Sequence, residues 1–184
     1  MTIGRTRLFA VAIAVGAVVA VIAGGSAAVA GDDSFGANFA VHERLNSFQE
    51  TPAALSTGGS GQFRLLIDDE RQQITYQLSY AGLEGTVQQS HIHLGGRAQS
   101  GGVIVFLCSN LGNGPAGTQA CPAAPGTISG TITAADIIGP AGQGIAAGEF
   151  AEVLRAIRAG ATYVNVHSTL FPGGEIRAQI GRGH

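Results

Sequence analysis

Phe63, Leu65 and Ile67 alternate with more polar neighbours, and after Asp68-Asp69-Glu70-Arg71 the alternation resumes at Ile74, Tyr76, Leu78 and Tyr80. Alternation with period two places one set of side chains on a single face of a strand, so the stretch predicts two strands joined by a polar turn. Phe39 to Leu45 gives a first strand, with Phe39, Val41 and Leu45 as its apolar positions. Asn46 to Gly61 reads as a loop that ends in Ser56-Thr57-Gly58-Gly59-Ser60-Gly61, and Ala81-Gly82-Leu83 breaks the pattern after the hairpin. Val103 to Leu107 is a continuous apolar run, as a buried strand requires. Gly126 to Thr133 puts Ile128, Gly130 and Ile132 on one face.

Two segments pair an apolar face with an imidazole face. In Gln88 to Leu94, His91 and His93 share one side, and Ile92 and Leu94 share the other. In Tyr163 to Ser168, Val164 and Val166 face opposite to Asn165 and His167. Glu175 to Ile180 closes the chain as a strand, with Glu175, Arg177 and Gln179 on one face. Phe171-Pro172-Gly173-Gly174 makes the turn before it, which predicts a second hairpin. Only one segment has a convincing helical period. Phe150, Val153, Leu154 and Ile157 recur at spacings of three and four within Glu149 to Ala159, and Gly160 stands where a C-cap belongs. Thr133-Ala134-Ala135-Asp136 predicts a short capped helix. The fold class that follows is mainly β: a Greek-key-like β-sandwich of about seven or eight short strands, with one or two short helices.

Arg5 and Arg7 precede an apolar run from Leu8 to Ala23, and Ala28-Val29-Ala30 offers small residues for cleavage. This order predicts an export signal over residues 1–30, cut after Ala30. The alternative is an uncleaved membrane anchor, for which the run is slightly short. A linker over 31–37, one domain over 38–181 and a disordered tail over 182–184 complete the expected organisation. Once the signal is cut, no transmembrane segment is expected. The 154 residues beyond Ala30 suffice for a single domain with its own core. The chain contains no lysine, and the segment after residue 30 carries eight arginines against twelve acids, a net charge of −4. A mild, dispersed negative charge with no basic stripe argues against nucleic acid as a partner. The low charged fraction suits a secreted or cell-envelope protein, and arginine without lysine fits a GC-rich bacterial genome.

Cys108 and Cys121 are the only cysteines, and an even count in an exported chain predicts a disulfide. Twelve residues rich in Gly, Asn and Pro separate them. Closing such a loop contributes about 3 kcal/mol in the chain-entropy picture. The same pair as a soft-metal or redox site matches no thiol spacing.

Three of the five histidines lie on the two imidazole-bearing strands. If those strands are neighbours, His91, His93 and His167 converge, and neutral imidazole is a good ligand for copper or zinc. Asn165, Glu175 and Arg177 then stand where they would orient those ligands. The competing reading is a structural cluster in which His, Asn, Glu and Arg satisfy one another's hydrogen bonds. Arg177 counts against a dication beside it unless it pairs with Glu175 or binds an anion. Two histidines on one strand plus one from its neighbour is also part of how Cu/Zn superoxide dismutase builds its copper site on a β-sandwich. The likeness is one of architecture, and only His42 and His184 remain here, too few for a dinuclear site. Nucleophilic catalysis has little support: Ser90 and Ser168 are adjacent in sequence to His91 and His167, which sends the paired side chains to opposite faces, and no nucleophile elbow occurs. The glycine pairs lack the lysine and following helix of a phosphate loop.

Several blocks together resemble the CHRD domain, the module named after chordin and found in many secreted bacterial proteins. They are Gln49-Glu50-Thr51-Pro52, Ala81-Gly82-Leu83, His91-Ile92-His93-Leu94-Gly95, Gly102 to Leu107, Gly130-Thr131-Ile132-Thr133, Tyr163 to Ser168 and Pro172 to Ile180. The resemblance covers about Asn38 to Gly181. One departure is Thr51-Pro52-Ala53, where many members carry a double proline. In chordin such domains sit in a secreted antagonist of growth factors of the bone-morphogenetic type, and the bacterial members are mostly exported single domains with no settled activity. The resemblance therefore implies a binding or structural module rather than an enzyme. Three functions stay open: an extracytoplasmic metal-binding domain, a metal-free module for a protein or envelope partner, and a mononuclear copper redox enzyme.

Overall fold

The computed structural model describes residues 39–181 and Met1. Apart from Met1, the expected export signal, linker and C-terminal tail, with His184, lie outside the described residues. Among the described residues eight strands form: β1 (Phe39–Asn46), β2 (Ser60–Asp68), β3 (Gln73–Ala81), β4 (Val87–Leu94), β5 (Val103–Ser109), β6 (Gly126–Ile132), β7 (Thr162–Ser168) and β8 (Ile176–Ile180). All pair antiparallel in a single sheet of order β5-β4-β7-β8-β1-β2-β3-β6. The fold is mainly β as the alternation predicts, and its two layers are the halves of one sheet that curls until it nearly closes.

The β2–β3 hairpin has the register its apolar positions demand, with Phe63 opposite Leu78, Leu65 opposite Tyr76 and Ile67 opposite Ile74. All six are buried. Any slip by one residue would turn this set to solvent, so burial fixes the register. The non-local pairings matter more for the site. β4 lies between β5 and β7, and β7 lies between β4 and β8. His91 is therefore opposite Asn165, His93 opposite Tyr163, and Asn165 opposite Arg177. The other face of these three strands carries Ile92, Val164, Val166, Ile176, Ala178 and Ile180, all in the apolar core.

α1 (Phe150–Arg158) buries Phe150, Val153, Leu154 and Ile157. Its last turn is tied to the β2–β3 turn by Arg158, whose Nη2 donates to both carboxylate oxygens of Asp69 at 2.8 and 2.6 Å. Thr133 and Asp136 form the expected capping box, over a single 3-10 turn at Ala134–Asp136. A second such turn, Ser47–Gln49, breaks the loop expected at 46–61. That loop is anchored, because Ser47 Oγ accepts from the Thr57 amide at 3.2 Å and donates to the Thr57 carbonyl at 3.3 Å.

The Cys108–Cys121 disulfide forms as predicted. Its loop lies over the seam between the edge strands β5 and β6. Gln119 Nε2 reaches the Leu107 carbonyl of β5 at 3.1 Å, the Ser129 carbonyl of β6 at 3.3 Å and the Tyr76 hydroxyl at 2.8 Å. One amide thus bridges backbone groups that two open edges would otherwise expose.

Candidate metal centre

β4 pairs irregularly where it carries the histidines. Its pairing with β5 shifts between Ser90 and His91 and again between Ile92 and His93. Paired bulges of this kind re-aim side chains while keeping the strand in the sheet. His91, His93 and His167 are buried at 2, 7 and 6% exposure, and one potential ligand atom from each lies within 4.8 Å of the other two. Ligand nitrogens about a metal with bonds of ~2.0 Å stand about 3.3–3.5 Å apart, so the widest pair would have to close by up to about 1.4 Å for coordination.

The hydrogen bonds define which nitrogens are free. His93 Nδ1 lies 2.9 Å from the Gly101 carbonyl, and His167 Nδ1 lies 2.9 Å from the Pro172 carbonyl. A carbonyl only accepts, so both Nδ1 atoms carry hydrogen and both Nε2 atoms present lone pairs. Holding Nδ1–H on a backbone carbonyl is how proteins fix the tautomer of a ligating histidine. His93 Nε2 has no hydrogen-bond partner. His167 Nε2 faces His91 Nδ1 at 3.1 Å and the Asn165 side-chain oxygen at 3.0 Å. His91 Nε2 is likewise unpartnered. Neutral His91 has one hydrogen for two nitrogens. On Nδ1 it serves His167 and leaves a buried acceptor at Nε2; on Nε2 it is a buried donor without an acceptor. Buried polar atoms of this kind are rare, and a cation is what would satisfy several lone pairs at once.

Burial holds the imidazoles neutral. Desolvation, followed by the neighbouring His167 and His93, pushes His91 down to about 2. Desolvation also pushes His93 down to about 4, against the pull of its Gly101 bond. His167 is lowered by burial, opposed by its bond to Pro172. Neutral imidazole is the ligating form.

The walls of the site are aromatic and cationic. His93 stacks on Tyr163 with centroids 4.7 Å apart, and Phe106 meets His91 edge-on at 4.3 Å. Arg177 lies over the Tyr163 ring, 3.5 Å from its centroid. Residues 95–102 cover this face. Arg177 Nη2 donates to the Gly96 and Gln99 carbonyls at 2.8 and 3.0 Å, and its Nη1 donates to the Thr51 hydroxyl. Gln179 Nε2 donates to the Gly95 carbonyl at 2.9 Å.

The residues expected around the ligands separate on inspection. Asn165 Oδ1 lies 3.0 Å from His167 Nε2. Arg177 lies over Tyr163, opposes protonation of His93 through its charge, and holds the covering loop. Glu175 accepts from the backbone amides of Glu84 and Gly85 at 2.7 and 3.4 Å, so its carboxylate is engaged at the end of the sheet. Ser90 and Ser168 hydroxyls are engaged by backbone: Ser90 Oγ donates to the Asn165 carbonyl at 2.6 Å, and Ser168 Oγ accepts from the Phe171 amide at 3.3 Å. Tyr163, Phe106 and Glu50 were not among the expected site residues. The stacking of Tyr163 was signalled by its place two residues before Asn165 on the same strand face. An open groove of about 660 Å³, lined by Arg44, Gln62, Tyr80 and Thr127 among others, shares none of the three histidines.

A family model for the CHRD domain matches residues 42–180. Neither a curated protein nor a solved structure matches the chain.

Proposed function

This chain belongs to the CHRD-domain family, and we propose that it is an exported, non-catalytic module that holds one copper or zinc ion through His91, His93 and His167. The observation that carries this reading is the pair of backbone-fixed tautomers. His93 and His167 each commit Nδ1–H to a carbonyl and turn Nε2 inward, beside a third buried imidazole. A bound ion would accept the free lone pairs and supply a compact, rigid link between β4 and β7. Tyr163 would fix the plane of His93, and Asn165 would lie against His167. The cover formed by residues 95–102 favours binding over turnover, because a redox cycle needs an approach for its substrate. Export is supported by the N-terminal sequence and by the disulfide. Among the described residues no helix is long and apolar enough to cross a membrane.

A second reading is a metal-free module for a protein or envelope partner. The observation in its favour is that Phe48 and Leu170 stand largely exposed.

Elemental analysis by mass spectrometry separates the two. The untagged protein, exported into an oxidising compartment and purified without chelator, should carry near-stoichiometric copper or zinc. His93→Ala should abolish the metal, and His42→Ala should keep it. A metal-free wild type that stays so after reconstitution with both ions would leave the interaction module as the better account.

A further inference from the structure

A dication held by three neutral imidazoles leaves two positive charges inside the protein, with the Arg177 guanidinium close by. Buried charge is costly unless an opposite charge is near. Three charged side chains are buried among the described residues: Glu50, Glu175 and Arg177. Glu175 is held by the Glu84 and Gly85 amides. Glu50 is different. It is 6% exposed, and its Oε1 has no hydrogen-bond partner. It reaches the site over Gly174, where a Cβ would lie 2.5 Å from Glu50 Oε1 and 2.8 Å from Asn165 Nδ2. The absence of a side chain at Gly174 is what lets the Glu50 carboxyl and the Asn165 amide approach each other. The same Asn165 touches His167 Nε2.

We infer that Glu50 is the counter-charge of the proposed metal centre: a buried carboxylate, placed one residue away from the ligand His167 across Asn165, that offsets the charge of the ion. The inference rests on the metal reading above. The groups that face Glu50 fit this role. Arg177 attracts the carboxylate from β8, the Thr51 amide donates to it, and Tyr163 on β7 feels its charge. Burial nevertheless pushes the Glu50 carboxyl up to about 7, so the metal-free site leaves the anion short of positive partners near neutral pH. An entering cation supplies one. Glu50 lies in a loop before β2 and is not a ligand. It acts through its field, so it is a charge-balancing residue.

The test uses the charge of the ion. Affinities of the wild type, Glu50→Gln and Glu50→Asp are measured for Zn²⁺ and for Cu⁺ by competition with chromophoric chelators, anaerobically for Cu⁺. Glu50→Gln should weaken Zn²⁺ by about tenfold or more, the usual scale for a residue that supports a metal ligand. It should weaken Cu⁺ by a clearly smaller factor, because the lost attraction scales with ionic charge. Glu50→Asp keeps the charge and should hold the Zn²⁺ loss to a few-fold, which keeps the test decisive if the Gln variant folds poorly. Unchanged Zn²⁺ affinity in Glu50→Gln overturns the inference. So does an equal loss for both ions, which would mark a merely structural role. A wild type that binds neither ion overturns the metal reading itself, a different outcome from a wild type that binds and a Gln variant that binds as well.

Discussion

His91 and His93 are neutral in the fold because water is excluded from them, and this gives the metal-free protein a defined response to acid. Both are depressed below the ordinary histidine value, to about 2 and about 4. Their contribution to stability is complete above pH ~6.5, where the unfolded chain is also neutral, and is lost as pH falls towards those values. Each contributes a slope of up to about 1.4 kcal/mol per pH unit. Glu50 has the opposite sign: its carboxyl is raised to about 7, so its contribution is complete below its ordinary value of 4.5 and is lost as pH rises through about 7. Glu43 is raised by burial as well, but between pH 6 and 4.5 the three lowered histidines outnumber the two raised acids, and stability should fall with acid. His91→Gln should flatten that slope by about 1 kcal/mol per pH unit, read from urea midpoints across the range. An unchanged slope would show that His91 is not buried as a neutral group. Gly174 supplies a second residue-scale check. It has φ +130°, and an added Cβ meets Glu50 and Asn165 at once. Gly174→Ala should cost about 1–3 kcal/mol and weaken metal binding together; a variant with wild-type stability and affinity would count against that contact. The three histidines were legible in sequence because alternation alone puts His91 beside His93. Glu50 was not, because its place depends on a loop and on a glycine more than a hundred residues downstream.

At the scale of elements, residues 95–102 and the disulfide loop do separate jobs. The first covers the site, and its path leaves no room at Gly101, where a Cβ would lie 1.6 Å from the Leu94 carbonyl oxygen. Gly101→Ala must displace the loop from β4. It should cost about 2–3 kcal/mol and release the His93 Nδ1 hydrogen from its carbonyl, seen as a shifted and faster-exchanging imidazole NH resonance. An unmoved resonance would contradict the role given to this loop. The disulfide loop closes the seam between β5 and β6 through Gln119. Replacing Cys108 and Cys121 by Ser should cost about 2–4 kcal/mol, with amide exchange accelerated first in β5 and β6. Uniform acceleration would mean that the loop does not act at the seam. The local hairpin β2–β3 could be read with its register, because its apolar residues alternate across a four-residue turn. The pairing of β4 with β7 joins segments some seventy residues apart. No local pattern specifies it, and it is the pairing that assembles the site. Glu175 shows the limit of alternation. It precedes β8, and there the chain turns its carboxylate to the Glu84 and Gly85 amides.

For the whole domain, β4, β7 and β8 divide the labour between their two faces. One face packs Ile92, Val164, Val166, Ile176 and Ile180 into the core, and the other carries the histidines, Asn165, Tyr163 and Arg177. The apolar face does not depend on a metal, so removing the ion should lower the melting temperature without unfolding the chain. With free metal at a hundred times its Kd, the gain from binding is about 2.7 kcal/mol. Calorimetry with and without chelator should show that loss and an intact cooperative transition. Unfolding on chelation would place the site in the core's own folding, as in a small zinc domain. The family match and the sheet agree on a mainly β CHRD module. The central claim is the convergence of three imidazoles on one ion. Anomalous diffraction at the copper and zinc edges, from crystals of the reconstituted protein, tests it most directly. The account predicts one peak about 2.0–2.1 Å from a single nitrogen each of His91, His93 and His167. A structure with no peak there, or with metal bound only elsewhere such as at His42, would contradict it.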